Sequence, residues 1–537
     1  MTGSISGKGE PPWQTIPAML AENLIHFANK TAIADGDTRI SYAELSHQLQ
    51  RAACGLAAQG LGPGDVVAIW APNSWQWVVS ALACWWRGCI VTPIAARGKI
   101  LDAMPALKAT DAKLLFTCSN SGGSNLVELI SAHLTETGQS LASKLPKLQS
   151  IVDLSGDYQH PELPIIGWNH FAGTEPTSEQ LAPANITGDD LCEILFTSGS
   201  TGTPKGVLRQ HHQVIRDRWS SSLRRGFKDQ DIILALSPFS HTLGLNGTLL
   251  RSLIMGCTLV IAKNSNPKTL SALIRDENIT AMSGPPSLFT SLLQEKTEGL
   301  SVLSNLRLTS VGSATIPVDL VRNLFSAGVD SVVSGYGMTE CDSIASATAT
   351  ESIETIATTV GKPEEGFEVQ IVDDAGNTVD RGDAGEIWIK SYSVTPGYLN
   401  APEQTALTIN ADGWLKSGDI GRWTDKGYLQ ILGRKKDVIT IHGYTLYPAE
   451  IEKLLTQSGI LKEIAVLGIP HQLAGEICVA YIVPQHPEEF TVGQLRHWAL
   501  RHIADYKIPT RLIIVAALPL NHNNKVDRMK LKEMLNE

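Results

Sequence analysis

Short apolar runs alternate with longer amphipathic segments along the first part of the chain. Val66–Trp70 has the pattern of a buried strand, and so have residues 90–93 and 114–116. Between these runs, apolar positions recur at helical spacing over residues 41–60 and over Trp75–Trp86. Because strands that alternate with helices favour a parallel sheet covered on both faces, the pattern predicts an α/β fold.

The first of these helices carries sequence signals at both ends. Ser41 and Glu44 have the spacing of a capping box, in which each residue satisfies a free backbone N–H of the other. Gly60 is the kind of residue at which a helix ends. The tryptophans of the second helix are expected to pack in the core rather than to form a ligand cage.

A loop made of Ser, Thr, Gly, Pro and one Lys separates two apolar runs at residues 197–206. Such a stretch is too polar for a core, and its glycines allow tight turns that point backbone N–H groups inward. Its hydroxyls and Lys205 add further donors, so the loop suits a polyphosphate. The spacing of a Walker A loop is absent.

A histidine follows the next apolar run. A strand is expected over residues 232–238, and His241 comes directly after it. The ends of parallel strands are where open α/β sheets bind ligands, so this position favours a functional side chain over a structural one.

A second polar motif surrounds an aromatic residue. Tyr336 lies between Gly335 and Gly337, which leaves a flat ring open for stacking on a purine. Thr339 can donate to a phosphate, and Glu340 can supply a hard oxygen ligand to Mg²⁺. The motif therefore predicts part of a nucleotide site.

Composition narrows the classes of function. The chain has 537 residues, enough for more than one core, and a formal net charge of −10, which argues against a general nucleic-acid binder. Its eight cysteines lack a C-x-x-C pair and zinc spacing, which indicates reduced core thiols in a cytoplasmic protein. The sequence predicts neither a signal peptide nor a transmembrane segment.

The segment TSGSTGTPKGV at residues 197–207 resembles the phosphate loop of the adenylate-forming superfamily, which comprises acyl- and aryl-CoA synthetases, luciferases and the adenylation domains of peptide synthetases. Later motifs follow in the order of that family, and the resemblance covers residues 15–530. It implies a large N-terminal domain of layered sheets and helices at residues 1–433, a hinge at residues 434–436 and a small mobile α+β C-terminal domain at residues 437–537.

The resemblance also implies a binding site for ATP and for the acyl acceptor. The implied binding residues are Thr197, Ser198, Gly199, Ser200, Thr201, Gly202, Lys205, Gly312, Ser313, Ala314, Gly335, Tyr336, Gly337, Asp419, Arg434, Lys436 and Gly443. In this set Asp419 is expected to accept hydrogen bonds from the ribose, Lys436 to be the pivot of the hinge, and Gly443 to approach the pantetheine arm. The expected cofactors are ATP, Mg²⁺ and coenzyme A, or a carrier protein's phosphopantetheine in place of CoA.

Four residues are implied to act in catalysis. Lys525 is expected to bridge the substrate carboxylate and the α-phosphate, and His241 to line the acyl pocket near that carboxylate. Thr339 is expected to contact a phosphate and Glu340 to hold Mg²⁺. Where the family has a glycine before its catalytic lysine, this chain has Asn524, which tolerates the left-handed backbone angles of such a turn.

Residues around the expected acyl pocket limit the acid. Ser240 stands where amino-acid-activating relatives carry an aspartate for the substrate ammonium, which argues against an α-amino acid. Gly337 stands where acetate-specific relatives carry a tryptophan, so acetate is disfavoured. The pocket is expected to draw on His241 and on residues 283–289 and 334–337, which suggest a mostly neutral, apolar cavity.

One basic stretch breaks the acidic trend of the chain. It contains Arg216, Arg218, Arg224, Arg225 and Lys228. The preferred interpretation is a solvated helix face, and the alternative is a contact for the phosphates of CoA.

The resemblance implies ATP-dependent activation of a carboxylic acid larger than acetate to an acyl-adenylate, followed by transfer to the thiol of coenzyme A. A ligase that loads an acyl or aryl group onto a carrier protein in trans is the first alternative. A luciferase-like monooxygenase and a catalytically inactive, nucleotide-binding regulatory protein are further alternatives. The last of these predicts a missing lysine or glutamate, whereas both Lys525 and Glu340 are present.

Overall fold

The computed structural model describes residues 9–98, 100–120, 125–156, 158–173, 182–197, 204–297, 300–312, 316–441, 444–471, 475–503, 507–521 and 525–535. Within these ranges the chain forms sheets of nine, seven, five and four strands and a two-stranded ribbon. None of the helices in these ranges is long and apolar enough to cross a membrane.

The strands are numbered along the chain. The first eighteen are β1 (Thr31–Asp35), β2 (Thr38–Ser41), β3 (Val66–Trp70), β4 (Ile90–Ile94), β5 (Leu114–Thr117), β6 (Ser150–Asp153), β7 (Ile165–Gly167), β8 (Leu191–Thr197), β9 (Lys205–Gln210), β10 (Ile232–Ala235), β11 (Thr258–Ile261), β12 (Ala281–Gly284), β13 (Lys296–Thr297), β14 (Leu300–Ser301), β15 (Leu308–Val311), β16 (Ser331–Met338), β17 (Asp342–Ala347) and β18 (Lys362–Pro363). The others are β19 (Phe367–Val372), β20 (Gly385–Ser391), β21 (Leu415–Trp423), β22 (Leu429–Arg434), β23 (Ile439–Ile441), β24 (Tyr444–Leu446), β25 (Leu461–His471), β26 (Gly475–Pro484) and β27 (Arg511–Ile514).

The helices lie between these strands. They are α1 (Ile16–His26), α2 (Tyr42–Ala58), α3 (Trp75–Trp86), α4 (Ile100–Ala109), α5 (Leu126–Thr137), α6 (Leu141–Lys144), α7 (Trp168–Phe171), α8 (His211–Arg225), α9 (Thr242–Gly244), α10 (Arg251–Met255), α11 (Pro267–Asp276), α12 (Pro286–Gln294), α13 (Val318–Ser326), α14 (Ile353–Thr358), α15 (Pro402–Thr408), α16 (Pro448–Thr456), α17 (Val492–His502) and α18 (Arg528–Glu533). A π-helical segment (Leu245–Leu250) and 3₁₀ turns (Val302–Asn305 and Lys435–Asp437) complete the set.

The capping box and the core helix predicted from the sequence are confirmed. In α2, the backbone N–H of Glu44 donates to Ser41 Oγ at 3.1 Å, and the backbone N–H of Ser41 donates to Glu44 Oε2 at 2.7 Å. In α3, the side chains of Trp77 and Trp85 are fully buried within the main apolar core. Burial of two large aromatic rings in this way contributes several kcal/mol, about 1.5–3 for each side chain.

The seven-stranded sheet has the order β7-β6-β5-β3-β4-β8-β9. Its neighbours pair in parallel except for β8 and β9, which form an antiparallel pair at one edge. This is the parallel α/β sheet that the apolar runs predict. Because β9 is antiparallel to β8, the polar loop between them is a hairpin connection at the edge of this sheet.

The nine-stranded sheet has the order β18-β17-β16-β15-β12-β10-β11-β1-β2. Its central strands, from β16 to β1, are parallel, while β17, β18 and β2 are antiparallel at the edges. The chain leaves the carboxyl ends of β10, β15 and β16 toward His241, Gly312 and Glu340 in turn. Three candidate segments thus leave the same edge of one sheet, where open α/β sheets bind ligands.

The strand predicted over residues 232–238 is shorter than expected. Strand β10 ends at Ala235 because Pro238 has no N–H to continue a ladder. Asn73 satisfies the backbone instead, since its amide donates to Ser237 O at 2.9 Å and its Oδ1 accepts from Phe239 N at 2.9 Å. Asn73, which is distant in sequence, therefore holds the turn that carries His241 in place.

The four-stranded antiparallel sheet β19–β22 follows the two large sheets. The last sheet has the order β24-β23-β26-β25, with β27 beside β26, and its helices α16 and α17 contribute to a separate small apolar core. The architecture is mixed α/β with a large N-terminal and a small C-terminal domain, as the sequence predicts.

Candidate active site

The polar loop between β8 and β9 is held at both of its ends. Thr197 is the last residue of β8 and pairs with Lys205, the first residue of β9. Residues 198–203 lie outside the described ranges, so the phosphate-binding roles of Ser198, Gly199, Ser200, Thr201 and Gly202 stay predictions. The hairpin geometry fixes where the two ends of the loop emerge.

Tyr398 connects this hairpin to the Glu340 turn. The Lys205 ammonium lies 5.3 Å from the centroid of the Tyr398 ring, and the Tyr398 hydroxyl donates to Glu340 Oε1 at 3.0 Å. Burial, followed by the neighbouring Glu340 carboxylate, raises the pKa of Tyr398, so the phenol keeps its proton and acts as a donor. The structure thus brings Lys205 and Glu340 together through a residue that the sequence gave no reason to select.

The turn that carries Thr339 and Glu340 joins β16 to the antiparallel β17 and contains a change of register. At its start, a Cβ on Gly337 would overlap the backbone carbonyl oxygen of Asp342. Asp342 itself has a positive φ of 59°. The close approach of the Asp342 carbonyl therefore leaves space only for a glycine at position 337.

A fully buried arginine supports this turn from below. The Arg209 guanidinium donates to the backbone oxygen of Glu340 at 3.2 Å, to Ser393 O at 2.6 Å and to Asp342 Oδ2 at 3.3 Å. Burial alone would raise the pKa of Asp342, but the guanidinium groups of Arg218 and Arg209 lower it, so its carboxylate is ionised. These groups hold the β9 strand, the Glu340 turn and the segment at Ser393 as one unit.

His241 is linked to the same unit through its neighbour. Its Nδ1 accepts a hydrogen bond from the backbone N–H of Leu243 at 3.3 Å, so the neutral ring carries its proton on Nε2. The hydroxyl of Thr242 donates to Asp342 Oδ1 at 2.8 Å. The histidine turn and the glutamate turn therefore share Asp342 as an anchor.

Tyr336 and Asp419 form the second half of the site. The Tyr336 hydroxyl donates to Asp419 Oδ2 at 2.5 Å, and Arg434 Nε lies 3.0 Å from Asp419 Oδ1. Asp419 pairs with Arg434 across β21 and β22. Burial raises the pKa of Asp419, and the Arg434 charge opposes this shift. Asp419 is buried whereas Asp412, seven residues earlier, is exposed.

Lys525 of the small domain lies close to these residues. Its backbone N–H donates to Asn521 Oδ1 at 3.1 Å, which closes the turn that carries it. The surrounding protein desolvates its ammonium and, together with Arg434, lowers the pKa of Lys525, while Asp419 opposes the shift. The side chain still reaches solvent. The predicted catalytic lysine is thus placed beside the residues predicted to hold the ribose.

The remaining predicted residues are placed as follows. Gly312 lies near the peptide of Gly335, since a Cβ built on Gly312 would be 3.7 Å from Gly335 O. Lys436 is exposed in the turn Lys435–Asp437. Ser313, Ala314, Gly443 and Asn524 lie outside the described residues.

Fewer residues of segment 283–289 can line the candidate acyl pocket than the sequence suggested. Leu288 and Phe289 are buried in the second apolar core. Of that segment, Ser283, Pro285 and Ser287 keep accessible surface near the carboxyl end of β12. The neutral side of the pocket therefore comes from fewer residues than expected.

The interpretation of the basic stretch as a solvated face is wrong for its inner residues. Arg218 and Arg225 are buried, at 3% and 9% exposure, because helix α8 packs this face against β17. Arg218 pairs with Asp217, and Arg225 lies 3.7 Å from Glu364. Since both guanidinium groups are enclosed and paired, they are not a surface for CoA phosphates either. The carboxylates that pair with these arginines, Asp342 and Glu364, are distant in sequence. The local sequence pattern therefore could not show that the arginine charges are neutralised inside the fold.

Glu340 fits an Mg²⁺ ion that is shared with a nucleotide. Among the residues that the structure describes, no three His, Cys, Asp or Glu side chains cluster in a way that could hold a metal ion. Mg²⁺ is commonly bound by one or two carboxylates together with substrate phosphates. A single carboxylate beside the phosphate loop is consistent with that mode of binding.

Comparisons with known proteins agree with this geometry. The profile of the family described as "AMP-binding enzyme" matches residues 20–399, and that of the "AMP-binding enzyme C-terminal domain" matches residues 450–525. The chain is 33% identical over 527 residues to "3-[(3aS,4S,7aS)-7a-methyl-1,5-dioxo-octahydro-1H-inden-4-yl]propanoyl:CoA ligase" of Rhodococcus jostii (strain RHA1), with 97% of this chain and 98% of the relative covered.

Two solved structures have the same architecture. An anthranilate CoA ligase, AuaEII, in complex with anthranoyl-AMP, superposes with a TM-score of 0.87 at 25% identity, with 98% of each chain covered. ATP-bound MatB from Rhodopseudomonas palustris superposes with a TM-score of 0.83 at 26% identity, with 97% of this chain and 99% of that chain covered. The chain therefore belongs to the AMP-binding enzyme family and is an AMP-forming acid–thiol ligase.

Proposed function

We propose that this ligase activates a ring-bearing carboxylic acid, larger than acetate, to an acyl-adenylate and transfers the acyl group to the thiol of coenzyme A. The assignment of roles is supported by the charges of Arg434 and Asp419, both of which act on the pKa of Lys525. A cation of the small domain would thereby lie within electrostatic range of the proposed ribose contacts.

In the first step, a carboxylate oxygen of the acid attacks the α-phosphorus of ATP. A P–O bond forms, the bond to the β-phosphate breaks, and pyrophosphate leaves with its electron pair. Because two anions must meet, the site has to offset their repulsion. Lys525 bridges the carboxylate and the α-phosphate, while Thr197, Lys205 and Thr339 contact the other phosphates.

Mg²⁺ bound to Glu340 and to phosphate oxygens would neutralise charge on the leaving pyrophosphate. The Tyr398 hydroxyl donates to Oε1 of Glu340. The second carboxylate oxygen, Oε2, is then the one proposed to bind the ion. Arg209 keeps the backbone of this turn in place. These two contacts orient the carboxylate for its proposed role as a ligand.

In the second step, the thiol attacks the acyl carbonyl of the adenylate and AMP leaves. Lys525 then stands where the thiol must approach, so residues 437–537 are proposed to rotate about Lys436 between the two steps. Gly443 is proposed to let the backbone approach the pantetheine arm. The boundaries of the large domain, residues 1–433, and of the hinge, residues 434–436, belong to the same proposal.

Support for a ring-bearing acid comes from the names of the relatives. The relatives at 33% and 32% identity are named for a propanoyl group on a dioxo-octahydroindenyl ring. Other relatives are named feruloyl-CoA synthase and 4-coumarate–CoA ligase. Ser240 provides no charge for the ammonium of an α-amino acid, so that class is disfavoured.

ATP–pyrophosphate exchange over a panel of fatty, aryl, cyclic and amino acids tests this proposal. Cyclic acids are expected to give the highest kcat/KM, and amino acids and acetate no exchange. Exchange with straight-chain acids alone would overturn the assignment of the acid class. The accumulated adenylate is then mixed with CoA or with a phosphopantetheinylated carrier protein, and the rates of acyl transfer are compared. Faster transfer to the carrier protein would show that the carrier, and not CoA, is the acceptor.

We infer the compartment from the state of the cysteines. All eight are buried and free of disulfides. Because such thiols persist in reducing surroundings, we place the protein in the cytoplasm. The test is to fractionate cells, to detect the protein in the cytoplasmic fraction and to measure whether its thiols are reduced there.

A further inference from the structure

The connection between β3 and α3 contacts a turn that belongs to the other large sheet. Asn73, in this connection, donates from its side-chain amide to Ser237 O at 2.9 Å, and its Oδ1 accepts from Phe239 N at 2.9 Å. The two bonded groups flank Pro238, which has no N–H. A residue of a neighbouring parallel strand would bond the same two groups. The amide of Asn73 therefore takes the place of a strand where the ladder of β10 has ended.

Asn73 stands at the start of a helix that is itself packed against the turn. The next residue, Ser74, begins α3, because its Oγ accepts from Trp77 N at 3.1 Å. The fully buried rings of Trp77 and Phe239 lie 5.0 Å apart between their centroids. The turn is thus held to the start of α3 by ring packing as well as by two hydrogen bonds.

The other end of this turn carries His241. The backbone N–H of His241 donates to Pro238 O at 3.0 Å, which closes the turn. A Cβ built on Gly244, in α9, would lie only 2.0 Å from the same carbonyl oxygen. Because the turn and α9 are in such close contact, a displacement of Pro238 has to be taken up by His241 and by the start of α9. The hydrogen bonds of Asn73 therefore bear on the position of His241.

The turn that carries Glu340 has supports of its own. Arg209 donates to the backbone oxygen of Glu340 at 3.2 Å, and the Tyr398 hydroxyl donates to its carboxylate at 3.0 Å. The histidine turn meets this unit where Thr242 donates to Asp342 at 2.8 Å. Since both hydrogen bonds of Asn73 go to the histidine turn, a change at this residue should affect the use of the acid more than the use of MgATP.

We propose that Asn73 is a positioning residue for the acid, because it holds the turn of residues 237–241 and so sets where His241 stands beside the substrate carboxylate. Asn73 acts through His241 and needs no contact with the substrate. A carboxylate that is out of line with the α-phosphorus reacts slowly, since attack depends on the alignment of the reacting atoms. This inference rests on the proposed function, in which His241 lines the acyl pocket near that carboxylate.

The first test is Asn73→Ala in ATP–pyrophosphate exchange, with the acid that gives the parent protein its highest kcat/KM. The acid is varied at saturating MgATP, and MgATP is then varied at saturating acid. Loss of two hydrogen bonds to the turn should lower kcat/KM for the acid by about 10-fold. The KM for MgATP should keep the parental value, because Arg209 and Tyr398 still hold the Glu340 turn.

Asn73→Asp tests the hydrogen bonds at nearly constant side-chain volume. The carboxylate can still accept from Phe239 N, but it cannot donate to Ser237 O and places an oxygen against that carbonyl. The loss in kcat/KM for the acid should therefore be at least as large as in Asn73→Ala. If side-chain volume alone mattered, this variant would behave like the parent. It also decides the matter if Asn73→Ala does not fold.

Ser74→Ala is the matched control. It removes the side chain that caps α3, next to Asn73, but neither hydrogen bond to the turn. It should lower the urea midpoint, because a cap is lost, and leave kcat/KM for the acid unchanged. A general weakening of this helix is thereby separated from a displaced His241 turn.

The contrary outcomes are also distinct. Parental kcat/KM for the acid in both Asn73 variants overturns the positioning role while the ligase function stands. An equal loss in Ser74→Ala shows that only the stability of α3 matters, and an equal loss for MgATP shows that the effect is not confined to the acid; either result overturns the inference. Failure of the parent protein to support exchange with any acid overturns the proposed function, and this inference with it.

Discussion

The hydroxyl of Tyr398 donates to Glu340 Oε1 at 3.0 Å while its ring lies under the Lys205 ammonium. One side chain thus spans the loop lysine and the candidate metal ligand. The segment that carries it is itself fixed, because Leu399 N donates to Gly206 O at 2.7 Å. One phenol therefore contacts two groups of opposite charge, the loop lysine and the candidate metal ligand.

Tyr398→Phe is expected to weaken the use of MgATP. The change removes one hydrogen bond to a carboxylate, worth about 1.5–3 kcal/mol, or about 10- to 100-fold in kcat/KM for MgATP. Pyrophosphate exchange as a function of MgATP concentration measures this. Tyr428→Phe removes a hydroxyl elsewhere and should change nothing. Equal kinetics of the Tyr398 variant and the parent would contradict the role of this contact.

Lys525→Ala is expected to separate the two half-reactions. Adenylate formation should fall by at least about a thousandfold, because a charge that meets the transition state is lost. Thioester formation from supplied acyl-AMP and CoA should continue at close to the parental rate. Lys530→Ala, an exposed lysine on α18, is the control. Adenylate formation at the parental rate in the Lys525 variant would show that this lysine has another role.

Arg209→Met is expected to destabilise the large domain. Removal of one partner from a buried ion pair leaves Asp342 with a reduced counter-charge and costs about 3–5 kcal/mol in free energy of unfolding. Urea denaturation measures this loss. Arg322→Met removes an exposed partner of Asp319 and should shift the midpoint little. A midpoint equal to the parental one in the Arg209 variant would argue against this support.

The free energy of unfolding should also depend on pH through the ionisation of Glu193. Burial raises its pKa from 4.5 to about 7, despite the hydrogen bond from Asn246. Between these two pH values the folded protein binds more protons at this site than the unfolded chain, so this residue lowers stability as pH rises. The shift corresponds to about 3 kcal/mol.

The corresponding variant is Glu193→Gln, which cannot ionise. Its free energy of unfolding should rise relative to the parent by about 3 kcal/mol between pH 4.5 and 7, as measured by urea denaturation. His211, whose pKa burial lowers to about 4, acts in the opposite direction, but it is present in both proteins and cancels in the difference. A constant difference across this range would show that Glu193 ionises normally.

Local patterns in the sequence predict the sheets and the main site segments because each depends on neighbouring residues. The period of apolar positions identifies β3 and α3, and the strand-to-turn transitions identify the segments of His241 and Glu340. The sequence predicts a strand to residue 238, whereas β10 ends at Ala235 and the turn after it is held by Asn73, which lies far away in sequence.

The residues that the sequence did not reveal act through long-range contacts. Tyr398 lies in a segment without a chemical motif, and it becomes significant only when that segment lies beside β9. Arg209 and Arg218 look like ordinary charges on a strand and a helix until Asp342 is placed against them. No spacing rule links positions more than a hundred residues apart, so only the folded chain shows these pairs.

Arg434 ends β22, and the turn Lys435–Asp437 follows it directly. The proposed rotation about Lys436 would leave Arg434 with Asp419 but carry Lys525 away. The contacts proposed for the ribose would then stay the same while the nucleotide loses one unit of positive charge from its surroundings. Binding of the highly charged ATP would weaken more than binding of the adenylate, so domain position would select which nucleotide the site retains.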